Sequence, residues 1–190
     1  WKSKEQVQAA FDTDSLKKNL SEPLSTHDFH GKEGEIMFLY VSGQPEKRLA
    51  LIGLGAQTDI TVEKLRRAYA NITRACHKNK LKQINICLPK CTSMEQSDVV
   101  TGISEGLLLP NYAFTALKKH SIQDDEPVML EKVTIIEGSR SDLSIAKRAA
   151  TVCDSVNFVR DLVNGNADDV TPQHLSAVAR GLEKTSTNVK

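Results

Sequence analysis

The sequence predicts an α/β domain: a mixed, mostly parallel sheet flanked by helices, followed by a linking helix. Three observations carry that reading. Short apolar runs bounded by Gly or Pro stand at 35–42, 48–54, 83–88 and 128–137, the lengths expected of strands. Helical periods at 61–80 and 97–109 separate the later runs, so strand and helix alternate. With 190 residues, 39% hydrophobic and 26% charged, the chain can build one core and carry one attachment.

EIMFLYVS (35–42) and RLALIGL (48–54) form the first two strands, and the Gly- and Pro-bearing link GQPEK predicts a tight connection. A helix follows over 61–80. Its Val62, Leu65, Tyr69, Ile72 and Cys76 fall within roughly 80° of a helical wheel, opposite Lys64, Arg67, Arg74 and Lys78. Thr61 or Asp59 caps its start. QINICL (83–88) is the next strand, so 48–88 reads as a right-handed crossover between parallel neighbours. The helix at 97–109 stops at Pro110, and NYAFTALKKH (111–120) predicts a second helical piece. After an acidic turn at 124–127, VMLEKVTIIE (128–137) returns to strand. About five or six strands in one sheet are expected.

The longest helix spans 141–163. Ile145, Ala149, Val152, Val156, Val159 and Val163 form a stripe roughly 80° wide, while Phe158 and Leu162 lie well off it. A helix with two apolar sides is expected to bridge the domain to something else. In NGNADD, Asn164-Gly165 ends this helix with a residue able to take positive φ. Thr171-Pro172 starts another helix, with Thr as N-cap, and Asp168 and Asp169 lie near its positive end.

A net charge of +1 provides no field favouring nucleic acid, membrane or an acidic substrate. Neither a secretory leader nor an apolar run of roughly 18–20 residues is present, and the chain is expected to be cytoplasmic. A start at Trp1 and an end in TSTNVK predict a piece of a longer polypeptide. Cys76, Cys87, Cys91 and Cys153 lack zinc-finger spacing and read as reduced thiols. Cys153 beside Asp154 is a poor nucleophile.

IGLGAQT (52–58) places Gly53 and Gly55 after a strand, but Thr58 stands where a dinucleotide fingerprint needs a third glycine. A turn requiring close backbone approach fits it better. His27 and His30 in HDFH have no carboxylate or Cys cluster to complete a metal site, and His77, His120 and His174 are isolated. Adjacent Asp168 and Asp169 lack the alternation of a calcium loop. The basic face of helix 61–80 lacks interleaved aromatics and reads as solvated. No GxSxG, HExxH or P-loop occurs. These residues assign no catalytic, cofactor-binding or metal position.

Three stretches together resemble the N-terminal portion of the leucyl aminopeptidase family: RLALIGLG (48–55), EGLLLPNYAF (105–114), and RDLVN (160–164) followed by Thr171-Pro172 and Leu175. The similarity runs over roughly residues 35–185. Asn166 departs from the Pro usual after the Asn, and Asp168 from a common Asn.

The resemblance implies a macrodomain-like N-terminal domain over 1–140, an interdomain helix over 141–164, and the start of a catalytic domain over 165–190. It implies that the longer protein removes N-terminal residues, often leucine, from peptides by means of two divalent metals, zinc or manganese. The partners implied are the protein's own catalytic domain and sister subunits of a hexamer. The ligand-bearing motifs of that metal centre are not in these residues, so no cofactor is expected in this portion and it is expected to be inactive alone. The alternative left open is a nucleotide- or ADP-ribose-binding module with IGLG near the phosphates.

Overall fold

The computed structural model describes residues 2–3, 6–7, 20, 23–42, 46–116 and 128–185. Strands are β1 (Lys2–Ser3), β2 (Gln6–Val7), β3 (Ile36–Tyr40), β4 (Arg48–Ile52), β5 (Gln83–Cys87) and β6 (Lys132–Ile136). Helices are α1 (Val62–Lys78), α2 (Gln96–Leu108), α3 (Arg140–Asn164) and α4 (Pro172–Thr185). The architecture is mixed α/β, as the alternation of periods predicts.

Strand pairing departs from the expected pattern. Among the described residues the six strands form three separate ladders, β1–β2 and β3–β4 antiparallel and β5–β6 parallel. The crossover expected between 48–54 and 83–88 is not a hydrogen-bonded pair. β4 returns alongside β3, with Phe38 opposite Ala50, because so short a link permits only an antiparallel return. Residues 43–45 of that link lie outside the described residues. The parallel strands are instead β5 and β6, with Asn85 opposite Thr134, and α2 lies between them in sequence. A helix-bearing connection is what a parallel pair requires.

The β3–β4 hairpin is covered on both faces. Ile36, Phe38, Ala50 and Ile52 pack against the main cluster, while Met37, Leu39, Leu49 and Leu51 join Leu20 and Phe29 in a second one. Two-sided cover explains why these strands read as continuous apolar runs. The main cluster centres on Leu65, Tyr69, Ile72 and Cys76 of α1 and Val99, Ile103 and Leu107 of α2. The expected stripe of α1 is thus its buried face, and Thr61 caps the helix by accepting from the Lys64 amide at 3.3 Å.

The second helical piece is absent where it can be judged. Residues 111–116 are irregular, and the rest of NYAFTALKKH, the acidic turn and His120 lie outside the described residues. Leu109 still has helical dihedrals, and the chain then bends, the Asn111 amide donating to the Leu108 carbonyl at 3.1 Å. Pro110 cannot donate to the preceding turn, so the helix is not continued through it.

α3 packs along α2, but not through its valines. Its buried residues are Asp142, Ala149 and Cys153. Val152, Val156, Val159, Val163 and Phe158 are exposed. The valine half of the expected stripe therefore faces away from the domain, while its Ala149 is buried with Cys153, which places short side chains at the α2–α3 seam.

Candidate functional site

Each sequence motif acquires a local role. At IGLG, the Gly53 amide donates to the Glu35 carbonyl at 2.7 Å and the Gly55 amide to the Gly31 carbonyl at 2.9 Å. The Gly34 amide donates back to the Gly53 carbonyl at 3.1 Å. A Cβ on Gly53 would stand 2.0 Å from the Lys32 carbonyl oxygen. The glycine turn thus clasps the 31–35 turn, and its two glycine amides already have carbonyl partners. The next helix begins at Val62, after a 3-10 turn at Gln57–Asp59, which separates its N-terminus from the glycines.

HDFH is an anchoring loop. Phe29 is buried in the second cluster, a role the sequence reading did not assign. The Glu35 carboxylate accepts from the His30 amide at 3.1 Å and the Lys32 amide at 2.9 Å. Burial opposes its charge, but these bonds and the nearby His30 ring outweigh that and hold Glu35 below the ordinary carboxylate range. The His30 ring has the Glu35 carboxylate beside it, 3.7 Å away, which makes a pair and not a cluster. Among the described residues no three His, Cys, Asp or Glu side chains come together as a metal site would need.

The basic face of α1 is matched locally: Lys64 meets Glu33 at 3.2 Å, Arg67 meets Glu63 at 2.8 Å, and Arg74 donates to Asn71 at 3.1 Å. His77, isolated in the sequence, lies 2.9 Å from the Asn111 side-chain oxygen. Burial pushes the Cys76 thiol up to about 11. Burial, with Glu105 and Asp154 nearby, pushes Cys153 up to about 11 as well, which suits neither as a nucleophile.

At the joint, α3 ends at Asn164 and Gly165 takes φ −63° and ψ 149°, so the expected positive φ is not used. Gly165 is needed for space: a Cβ there would lie 2.3 Å from a methyl of Val170. Thr171 caps α4 as expected, accepting from the His174 amide at 3.2 Å, and Pro172 opens the helix. Asp168 and Asp169 are exposed beside that start.

What the sequence did not disclose is that EGLLLPNYAF and RDLVN meet. The start of the first motif locks α2 to α1. Glu105 accepts from the Arg66 Nε at 2.8 Å, and a Cβ on Gly106 would sit 2.5 Å from the Arg66 carbonyl. Asn111 brackets Leu130, accepting from its amide and donating to its carbonyl, both at 2.9 Å. Arg160 then donates to the Leu109 carbonyl at 2.7 Å, with its guanidinium 5.5 Å from the Tyr112 ring centre. The Tyr112 hydroxyl donates to Asp161 at 2.7 Å and accepts from the Asn164 side chain at 3.2 Å. Arg160, Asp161 and Asn164 together fasten the end of α3 to the segment that leaves α2. The candidate site is this polar clasp, with the valine face of α3 beside it.

The chain matches the profile described as cytosol aminopeptidase family, N-terminal domain, over residues 1–121. It is 42% identical over 190 residues to a probable cytosol aminopeptidase of Protochlamydia amoebophila, covering 100% of this chain and 38% of that protein. A probable cytosol aminopeptidase of Chlamydia abortus is 36% identical over 166 residues, covering 85% of this chain and 33% of the relative. The chain thus spans well under half the length of these curated relatives. Among solved structures, a mutant of tomato leucine aminopeptidase aligns with a TM-score of 0.73 at 23% identity, over 90% of this chain and 34% of the other. The bottromycin maturation enzyme BotP, in complex with Mn, aligns with a TM-score of 0.70 at 16% identity, over 92% and 34%. At these identities the structural likeness speaks to the fold alone.

Proposed function

This chain belongs to the cytosol aminopeptidase family, and we propose that it is the non-catalytic N-terminal portion of a metal-dependent leucyl aminopeptidase. Its role is architectural: it supports assembly with its own catalytic domain and with sister subunits of a cytoplasmic homohexamer. In this reading 1–140 is a macrodomain-like domain, 141–164 the interdomain helix and 165–190 the start of the catalytic domain. Peptides are the substrates of the longer protein, which releases their N-terminal residues.

The observation that carries the reading is the clasp. The polar side chains of the family-like motif RDLVN, those of Arg160, Asp161 and Asn164, are engaged within the chain by Leu109, Tyr112 and Asn157, which holds α3 at a set direction. A linking helix needs that: a defined angle between the domain before it and the domain after it.

Two divalent ions, zinc or manganese, would polarise the scissile carbonyl and activate water in the longer protein. The residues here do not fit them. Potential ligands such as Asp142 and Glu105 are engaged by Ser139 and Arg66 respectively. Among the described residues no cluster of metal-ligating side chains forms. No step of the reaction is assigned to this portion.

The test is a leucine-anilide assay of the purified chain with added Mn²⁺ or Zn²⁺. No turnover is expected, and measurable leucine release overturns the non-catalytic role. Calorimetry with ADP-ribose is expected to be silent; micromolar binding would favour a ligand-binding module instead.

A further inference from the structure

We propose that Asn164-Gly165 is a self-modification site, at which the clasp holds back deamidation and the reaction, once it occurs, opens the clasp. Asparagine followed by glycine is chemically labile, because a residue without a side chain leaves the next amide nitrogen free to approach the asparagine side chain. In that step the Gly165 nitrogen bonds to the Asn164 Cγ and the bond from Cγ to Nδ2 breaks. The Gly165 amide proton leaves with Nδ2 as ammonia. Water then opens the cyclic imide at either carbonyl, which leaves aspartate or isoaspartate at position 164. No oxidant and no other reactant is required.

The fold keeps the two residues of the pair for separate reasons. A Cβ on Gly165 would collide with a methyl of Val170, so a bulkier and less reactive residue is excluded there. Asn164 is fixed by hydrogen-bond polarity. The Tyr112 hydroxyl has a single proton and gives it to Asp161 at 2.7 Å, since a carboxylate can only accept. On its other side the hydroxyl must accept, and Asn164 Nδ2 supplies the donor at 3.2 Å. The same contacts restrain the reaction. Tyr112 holds the leaving nitrogen, and the attacking Gly165 nitrogen donates to the Asp161 carbonyl at 3.0 Å. Asn164 is the exposed final residue of α3, so ring closure proceeds when this last turn opens and both bonds are released. The product cannot rebuild what was lost. A carboxylate at 164 has nothing to donate to Tyr112, and it adds a second negative charge three residues from Asp161. Isoaspartate also routes the main chain through its Cβ, which shifts Gly165 from its seat on Val170.

The test ages the 190-residue chain at neutral pH and follows conversion by mass-spectrometric peptide mapping, with isoaspartyl methyltransferase labelling for the isoaspartate. A free peptide of residues 162–170 sets the unprotected rate. Asn164 in the folded chain is expected to convert about tenfold or more slowly than in the peptide. Tyr112→Phe keeps the ring on Arg160 and removes only the hydroxyl. It is expected to speed conversion of Asn164 by roughly three- to tenfold and to leave the nearby Asn166 unchanged. Equal rates in chain and peptide, or no acceleration in Tyr112→Phe, overturn the protection. Joint acceleration at Asn164 and Asn166 marks general loosening of the joint and overturns it too, and a peptide that stays unconverted overturns the lability. For the consequence, the converted fraction and the Asn164→Asp variant are both expected to melt about 2–4 °C below the fresh chain. Unchanged melting of both overturns the opening of the clasp.

Discussion

Gly53→Ala separates a steric role for the glycine turn from a ligand-binding one. The added Cβ would lie 2.0 Å from the Lys32 carbonyl oxygen and 2.8 Å from the Gly31 carbonyl carbon. Those atoms are backbone, so no side-chain rotation relieves the overlap. Reaching a tolerable separation of 3.0 Å requires the two turns to part by about 1 Å. That movement strains bonds of 2.7, 2.9 and 3.1 Å joining Gly53, Gly55 and Gly34 to their partners. Each such bond contributes about 0.5–1.5 kcal/mol. Overpacking of this kind costs about 1–3 kcal/mol. With partial relaxation the expected loss is about 2–4 kcal/mol, a melting-temperature drop of roughly 5–15 °C. Urea titration followed by circular dichroism measures it. Gly181→Ala is the matched control: a Cβ there meets nothing within 4 Å, and alanine in a helix is expected to add up to about 1 kcal/mol. A Gly53→Ala loss below about 0.5 kcal/mol refutes the steric reading of IGLG.

Arg160→Ala removes the bond to Leu109, the bond to Asn157 and the ring contact with Tyr112, and should cost about 1–3 kcal/mol by chemical denaturation. Arg160→Lys should restore only part of it, because an ammonium cannot reproduce the planar fork. The Ser139 amide and hydroxyl hold the Asp142 carboxyl below its ordinary range. Its contribution is therefore complete above about pH 4 and fades as pH falls further. Asp142→Asn should lower stability at pH 7 and flatten the pH dependence below about pH 4, read from melts taken on either side of it. Cys76 and Cys153, buried and pushed up to about 11, should resist a thiol reagent at about pH 8 until urea unfolds the chain. Cys87 and Cys91, only partly buried, should label first in peptide maps.

Much of this molecule was legible because it depends on near neighbours. The stripe of α1 named its buried face correctly, since every member lies within one helix and the helix is covered on that side by α2 and the hairpin. Thr171-Pro172 predicted its helix start for the same reason: an N-cap acts over three residues. Periodicity also found the valines of α3, but periodicity reports which side of a helix is apolar, and not which side is covered. The domain covers Ala149 of that stripe, together with Asp142 and Cys153, and leaves the four valines outside.

Taken by itself, the sequence determined the element types apart from the helical piece expected after Pro110, the absence of a recognisable catalytic motif, and the resemblance that the family match bears out. Tertiary structure alone decided the partners: β4 beside β3, β5 beside β6, the glycine turn against residues 31–35, and RDLVN against the exit of α2. Tyr112 and Asp161 are 49 residues apart, and nothing in their spacing encodes a 2.7 Å bond. Helix periods, caps and turns are set by interactions over a few residues and can be read along the chain. Which surfaces meet depends on contacts between distant segments, and only the folded chain brings those together.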